Sequence, residues 1–206
     1  SKSLSILKKE AFRDHFIEEQ LKLRGHVSEK KLGRFGWTEW AAFGSVEQDD
    51  FYLDTGLACS PGNAAFGENV RLRKQGEAWL LYFKSRAEHQ IFSHRHPLLV
   101  KVAPEDARQI LQSYPVTQRI KKLRKHFRRE RGSAADLVFV LHLDTIEGLG
   151  KFTEIRTLCS PGTTHTTELF QLATELGFKP YDIVEGSYLA LATSSPKAAD
   201  SASSDK

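Results

Sequence analysis

The sequence predicts an α+β protein built on an antiparallel β-barrel of about eight strands, flanked by helices. Two observations carry that expectation. Six segments alternate charged with apolar residues, giving each one apolar face and one charged face. Three further stretches carry helical signals and supply cover for the apolar faces.

Successive side chains of a strand point to opposite faces, so a period of two separates an inner from an outer lining. Residues 17–23 place Glu18, Gln20 and Lys22 on one face and Ile17, Leu21 and Leu23 on the other. Residues 51–54 set Tyr52 and Asp54 against Phe51 and Leu53, and residues 70–73 set Arg71 and Arg73 against Val70 and Leu72. Residues 80–86 oppose Tyr82, Lys84 and Arg86 to Leu81 and Phe83. Residues 138–144 oppose His142 and Asp144 to Phe139, Leu141 and Leu143, and residues 151–157 oppose Glu154 and Arg156 to Ile155. Any one of these fits a sheet with a solvated side. A closed barrel with its charges inside and its apolar outer faces against helices accounts for all six together.

The covering helices are expected at 28–43, 104–111 and 166–176. The first carries Leu32, Phe35, Trp40 and Phe43 but is interrupted by Gly33 and Gly36. The second opens on Pro104, Glu105 and Asp106, a favourable helix start, and the third ends at Gly177, a C′ glycine. Residues 1–16 read as an N-terminal helical extension, 17–192 as the main domain, and 193–206, rich in Ser, Ala and Lys, as a disordered tail.

The 206 residues are 40% hydrophobic and 27% charged, the range of an ordinary globular protein. No apolar run approaches the ~18 residues of a membrane span, and no compact apolar segment marks a secretory signal. Cys59 and Cys159 are too few for a disulfide scaffold and lack zinc-site spacing, so a cytoplasmic location is expected. The net charge of +4 is unevenly spread, with seven Lys or Arg and one Glu between Lys121 and Arg131. That distribution points to an anionic partner, whether a polyphosphate, a nucleotide or a nucleic acid.

The 121–131 stretch has two readings. As a strand it turns Lys122 and Arg124 inward but leaves Phe127 out of register without a bulge. As a helix it aligns Ile120, Leu123 and Phe127 and forms a basic amphipathic surface for RNA. His89, His94 and His96 fit either an exposed loop or a metal site, and His142 either a general base or a barrel-lining spacer. The repeated Cys-Ser-Pro-Gly at 59–62 and 159–162 reads as ordinary turn chemistry, or as the trace of an internal two-fold relation.

Several strings follow one another in a recognisable order. Glu18-Glu19-Gln20-Leu21-Lys22 is followed by Gln48, Asp50, Tyr52 and Asp54 at alternate positions, then by Arg71 and Arg73 and by Lys84. Lys122 and Arg124 come next, then Asp144, Gly148, Gly150, Phe152 and Glu154, and finally Ser187 and Tyr188. Over residues 17–191 this order resembles the CYTH superfamily of class IV adenylate cyclases and thiamine triphosphatases. The resemblance implies a triphosphate tunnel inside the barrel. It also implies an enzyme using Mg2+ or Mn2+ on thiamine triphosphate, inorganic triphosphate or a nucleoside triphosphate. Arg71, Arg73, Lys84, Lys122 and Arg124 would hold phosphates, with Arg156 as a further candidate. Glu18, Asp144 and Glu154 would hold the metal, and Lys22 and Glu154 would serve catalysis.

The sequence departs from the family pattern at Gln20 and Arg156, both acidic positions in that pattern, and His94-Arg95-His96-Pro97 keeps only the arginine of an R-x-E string. These departures imply weakened metal binding. They leave open a class IV cyclase, a polyphosphate-binding barrel without turnover, and an RNA-binding module.

Overall fold

The computed structural model describes residues 17–54, 69–84, 92–95, 97–130, 138–159 and 163–194. Ten strands form one antiparallel sheet: β1 (Ile17–Arg24), β2 (Thr38–Glu39), β3 (Ser45–Leu53), β4 (Asn69–Gln75), β5 (Ala78–Lys84), β6 (Phe92–Arg95), β7 (Pro97–Val102), β8 (Val116–Glu130), β9 (Val138–Ile146) and β10 (Gly150–Cys159). The helices are α1 (Glu29–Arg34), α2 (Pro104–Ser113), α3 (Thr166–Glu175) and α4 (Tyr188–Ser194), with a 3-10 turn at Pro180–Asp182. The α+β class is as the sequence predicts. No helix among the described residues is long and apolar enough to cross a membrane.

The hydrogen-bonded order is β6-β1-β10-β9-β8-β3-β4-β5-β7, with β2 paired along β8. Among the described residues this ladder is longer than the expected eight strands and runs from β6 to β7 without a hydrogen-bonded closure, so the structure shows a large antiparallel sheet and does not establish the closed barrel. Those two edge strands are successive in the chain, with Arg95 in one and Pro97 in the other. Two residues of backbone reach about 7 Å at most, so the edges approach each other there and the sheet curls around its charged face.

Two hydrophobic clusters lie on the outer faces. Leu21, Leu23, Phe127, Phe139, Leu141, Leu143 and Ile155 pack with Leu32 of α1 and with Leu169, Leu172 and Ala173 of α3. Leu53, Val70 and Leu72 pack with Ala107 of α2, with Trp79, Leu81 and Ile110 beside them. Leu141 and Ile155 are fully buried, and burial of each side chain contributes about 2 kcal/mol.

The helix expected at 28–43 is only one and a half turns long. Ser28 caps it by accepting from Lys31 N, and Gly36 at φ +76° takes the chain out of the helix into β2. The helices at 104 and 166 form as expected, the latter followed by Gly177 at φ +89°. α4 runs to Ser194, two residues into the stretch read as tail. The 1–16 extension, the 59–62 copy of Cys-Ser-Pro-Gly, Arg86 and His89 lie outside the described residues.

Of the two readings of the 121–131 stretch, the structure has the strand, through Glu130, and not the basic amphipathic helix. β8 pairs with β9 without a break from Lys122↔Ile146 to Glu130↔Val138. Phe127 needs no bulge: it lies on the face opposite Lys122 and Arg124 and is buried in the outer core. Ile120 shares the inner face with Lys122, so helical spacing had grouped residues from two sides of one strand.

Candidate functional site: a cation-rich inner face

Antiparallel register decides which side chains meet, because directly paired residues point to the same face. The pairs Lys22↔Glu154 and Gln20↔Arg156 join β1 to β10. Arg124↔Asp144 and His126↔His142 join β8 to β9, and Arg73↔Asp50 joins β4 to β3. All of these lie on the inner face, where charges are buried: Asp50 and Asp144 are fully enclosed, and Arg73, Lys122, Arg124 and Glu154 are nearly so.

One cluster surrounds Asp50. Arg73 donates Nε to Oδ1 at 2.5 Å and Nη2 to Oδ2 at 2.8 Å, while Lys122 Nζ donates to Oδ2 at 3.2 Å. Arg71 Nη1 lies 3.3 Å from the same Oδ2 and donates to the Tyr52 hydroxyl at 3.1 Å. Both guanidinium groups lie against Tyr82, 4.9 and 4.6 Å from its ring centroid. Burial would raise the Asp50 carboxyl, but Arg71, Arg73 and Lys122 hold it well below the usual carboxylate range. The reverse holds for Lys122. Burial first, then the charges of Arg73, Arg124 and Arg71, outweigh Asp50 and push its ammonium well below its ordinary 10.5. Arg71 Nε is buried with no hydrogen-bond partner among the described residues. Three cations thus share one carboxylate.

The second cluster is more evenly matched. Arg124 donates Nε to Asp144 Oδ1 at 2.6 Å, and its Nη2 reaches Asp144 Oδ2 at 2.5 Å and Glu154 Oε2 at 2.7 Å. Arg156 donates Nη2 to Glu154 Oε2 at 2.6 Å and Nη1 to Glu18 Oε2 at 3.1 Å. Burial would raise Glu154, but Arg124 and Arg156 hold it ionised, well below its ordinary range.

Helix α4 closes one end of this face. Tyr188 packs with Ile120, Ile146, Phe152 and Val184, and its hydroxyl donates to Asp144 Oδ2 at 2.9 Å. Lys22 Nζ donates to Gly186 O at 2.7 Å and lies 4.0 Å from the Tyr188 ring centroid, with Lys122 5.7 Å from the same ring. The backbone holds this segment in place, Val184 N bonding Lys22 O at 2.9 Å. At the other end, His126 and His142 meet edge to face at 4.7 Å, with Phe43 5.3 Å from His126. Burial and the Arg124 charge push His126 down to about 4 and His142 well below 6.5, so both rings are neutral at pH 7. The Nδ1 of His142 is 3.7 Å from Glu154 Oε2, and the ring lines the face between that carboxylate and His126.

Of the residues singled out from the sequence, Glu18, Lys22, Arg71, Arg73, Lys122, Arg124, Asp144, Glu154 and Arg156 all come together on this face. Lys84 sits in β5 opposite Asn69, in register for the same face, but its side chain is outside the described atoms, as is that of His94. Asp50, Tyr82 and His126 were not singled out as site residues, and Tyr188 only as part of a string. Asp50 is legible in the sequence: the alternation of Tyr52 extends back through Asp50 to Gln48, beyond the segment 51–54, because β3 begins at Ser45. Tyr188 follows from no local period, because a helix brings it to the face.

A divalent cation does not fit the acidic set as it stands. Mg2+ needs near-octahedral oxygen ligands at about 2.1 Å. Asp144 gives both oxygens to Arg124, and Glu154 and Glu18 share Arg156. The described residues contain no group of three or more His, Cys, Asp or Glu placed to hold a metal ion.

Fold and face together define an α+β protein whose curled antiparallel sheet buries a cation-rich interior. The family model for the CYTH domain matches residues 9–188, and the chain belongs to the CYTH family. Among solved structures, it resembles the PH1012 protein of Pyrococcus horikoshii OT3 at 21% identity and TM-score 0.67, covering 84% of this chain and 98% of that one. It also resembles a proposed adenylate cyclase from Vibrio parahaemolyticus at 20% identity and TM-score 0.59, covering 86% and 98%. A third is HpAC1 from Hippeastrum, a proposed adenylyl cyclase with a dominant triphosphatase activity, at 17% identity and TM-score 0.54, covering 87% and 95%. At these identities the likeness shows the fold. No curated protein matches the chain in sequence.

Proposed function

We propose that the inner face binds the triphosphate group of a small molecule and hydrolyses its terminal phosphoanhydride in the cytoplasm. The Asp50 cluster carries this reading. Arg71, Arg73 and Lys122 converge on a single carboxylate, and the depressed Lys122 ammonium marks a buried site short of negative charge. A polyanion between these cations would restore Lys122 and give the buried Arg71 Nε an acceptor.

Hydrolysis breaks the bond from the terminal phosphorus to the bridging oxygen as a water oxygen adds to that phosphorus. The water's protons pass to solvent and phosphate oxygens. In so loose a transition state, positioning and charge stabilisation supply most of the catalysis. Arg71, Arg73 and Lys122 neutralise the phosphate oxygens, with Arg124 flanking them. Asp144 and Glu154 orient Arg124, and Lys22 is held over Tyr188 beside Glu154. No step is assigned to Mg2+ or Mn2+, since Arg124 takes both Asp144 oxygens and Arg156 bridges one oxygen each of Glu154 and Glu18. The triphosphatase activity named for HpAC1 agrees with hydrolysis, whereas cyclisation of ATP is the corresponding reading from the cyclase names.

One observation favours a second reading, binding without turnover: neutral Gln20 lies opposite Arg156 where the family pattern has acids. The test is phosphate release with product identification from inorganic triphosphate, thiamine triphosphate and ATP. Release lost in Arg73→Ala and Lys122→Ala establishes the enzyme, and cyclic AMP from ATP would replace hydrolysis by cyclisation. A triphosphate that raises the melting temperature without turnover selects the binding barrel. Neither turnover nor a thermal shift with any of the three would sink the proposal.

A further inference from the structure

Resting on that reading, we infer that Arg156 supplies, as a built-in guanidinium, the positive charge a divalent cation would bring between Glu18 and Glu154, so that this chain binds triphosphate without a metal ion.

The geometry is specific. Arg156 is two residues from Glu154 on the same face of β10, and its two terminal nitrogens separate to reach Glu154 Oε2 and Glu18 Oε2. A planar guanidinium with fixed donors suits this bridge between two carboxylates. A dication placed there would compete with N–H groups for both oxygens and sit within a few ångströms of a fixed positive charge. The facing residue on β1 is Gln20, which is neutral, and its Oε1 is buried with no hydrogen-bond partner among the described residues.

Charge balance points the same way. Among the described side chains, Glu18, Asp144 and Glu154 are matched in number by Lys22, Arg124 and Arg156, all on one continuous face. A divalent ion added to this set would leave it doubly positive. The Asp50 cluster is the part that lacks anions, with Arg71, Arg73 and Lys122 on one carboxylate. A triphosphate can therefore neutralise the interior with no metal accompanying it. Arg156 Nε is itself buried without a partner among the described residues, leaving a donor for a ligand oxygen.

Two measurements on the whole chain test this. Calorimetry with inorganic triphosphate should give the same Kd in EDTA and in Mg2+ to within ~3-fold. Mn2+ added without triphosphate should keep the electron paramagnetic resonance spectrum of the free ion in wild type, and Arg156→Glu should quench it by binding. Triphosphate bound only in Mg2+, or Mn2+ captured by wild type, would overturn the inference while leaving triphosphate binding intact. If triphosphate binds under neither condition, the proposed function fails and metal-free triphosphate binding fails with it, while the Mn2+ spectrum still decides whether Arg156 excludes a dication from Glu18 and Glu154. Should Arg156→Glu not fold, Arg156→Met replaces it. A loss of affinity in EDTA of ~10-fold supports the guanidinium role, and unchanged affinity overturns it.

Discussion

The hydroxyl of Tyr188 donates to Asp144 Oδ2 at 2.9 Å, and the same oxygen accepts from Arg124 Nη2 at 2.5 Å. A residue near the C-terminus thus holds the carboxylate that orients an interior arginine. Burial, with Glu154 and Asp144 nearby, pushes the tyrosine hydroxyl well above its ordinary range, so it stays a donor. Tyr188→Phe removes this bond and leaves the ring in place. We expect a loss of about 1.5–3 kcal/mol, the range for hydrogen bonds to charged groups, in urea unfolding. An unchanged midpoint would show that the bond contributes nothing to stability.

Asp50→Asn keeps the shape of its side chain and removes the only carboxylate shared by Arg71, Arg73 and Lys122 in the described structure. Leaving those cations uncompensated should destabilise the free protein by about 3–5 kcal/mol. Inorganic triphosphate should then raise the variant's melting temperature more than that of wild type. The Asp50 pKa is depressed in the fold, so its contribution is full above about pH 4 and is lost as pH falls towards the folded value. Wild type and Asp50→Asn should therefore converge in stability under acid, and a constant gap from pH 7 to pH 2 would contradict the assignment.

Lys122 should behave in the opposite sense. Its folded pKa is lowered, so burying its charge costs stability, a cost relieved as pH rises towards 10.5. Lys122→Met should raise the stability of the free protein by about 1 kcal/mol at pH 7. The gain should shrink at higher pH, and the variant should bind triphosphate more weakly. Destabilisation at pH 7 together with unchanged affinity would remove Lys122 from the site.

His126 is protonated in the unfolded chain below about 6.5 but in the fold only near 4. Between those values the unfolded state holds about one more proton through this residue, so stability falls as pH drops. His142 is shifted in the same direction. Urea titrations at pH 7, 6 and 5 should show this slope, and His126→Gln should flatten it by about one proton. A slope that survives the substitution unchanged would assign the effect elsewhere.

Buried Glu19 lies on the outer side of β1 and accepts from Thr164 Oγ1 at 2.7 Å, His165 N at 2.6 Å and Cys159 Sγ at 3.1 Å. Burial, then this carboxylate, push the Cys159 thiol up to about 12. Glu19→Gln should lower the thiol pKa, read from the pH dependence of thiolate absorbance. A value that stays near 12 would leave burial as the whole cause.

Local period determined most of this inner face. Glu18, Lys22, Arg71, Arg73, Asp144, Glu154 and Arg156 could be assigned to one side because a strand has only two sides, and charge alternation marks which is which. The ends of elements were less legible. Gly36 reads as a weak point in a helix, but its positive φ ends that helix and leads into β2. Residues 121–131 suit a helix and a strand alike by local pattern, and only pairing with β3 and β9 gives the strand its preference.

What the sequence determined by itself was a set of two-faced strands, an excess of cations and an order of motifs that belongs to one family. Tertiary structure decided which charges pair. Asp50 collects three cations from β4 and β8, Arg156 bridges strands β10 and β1, and Tyr188 arrives from a helix more than forty residues from the Asp144 it binds. These contacts depend on register and curvature. Both arise when the apolar outer faces are buried against α1, α2 and α3, and neither is written in any single strand.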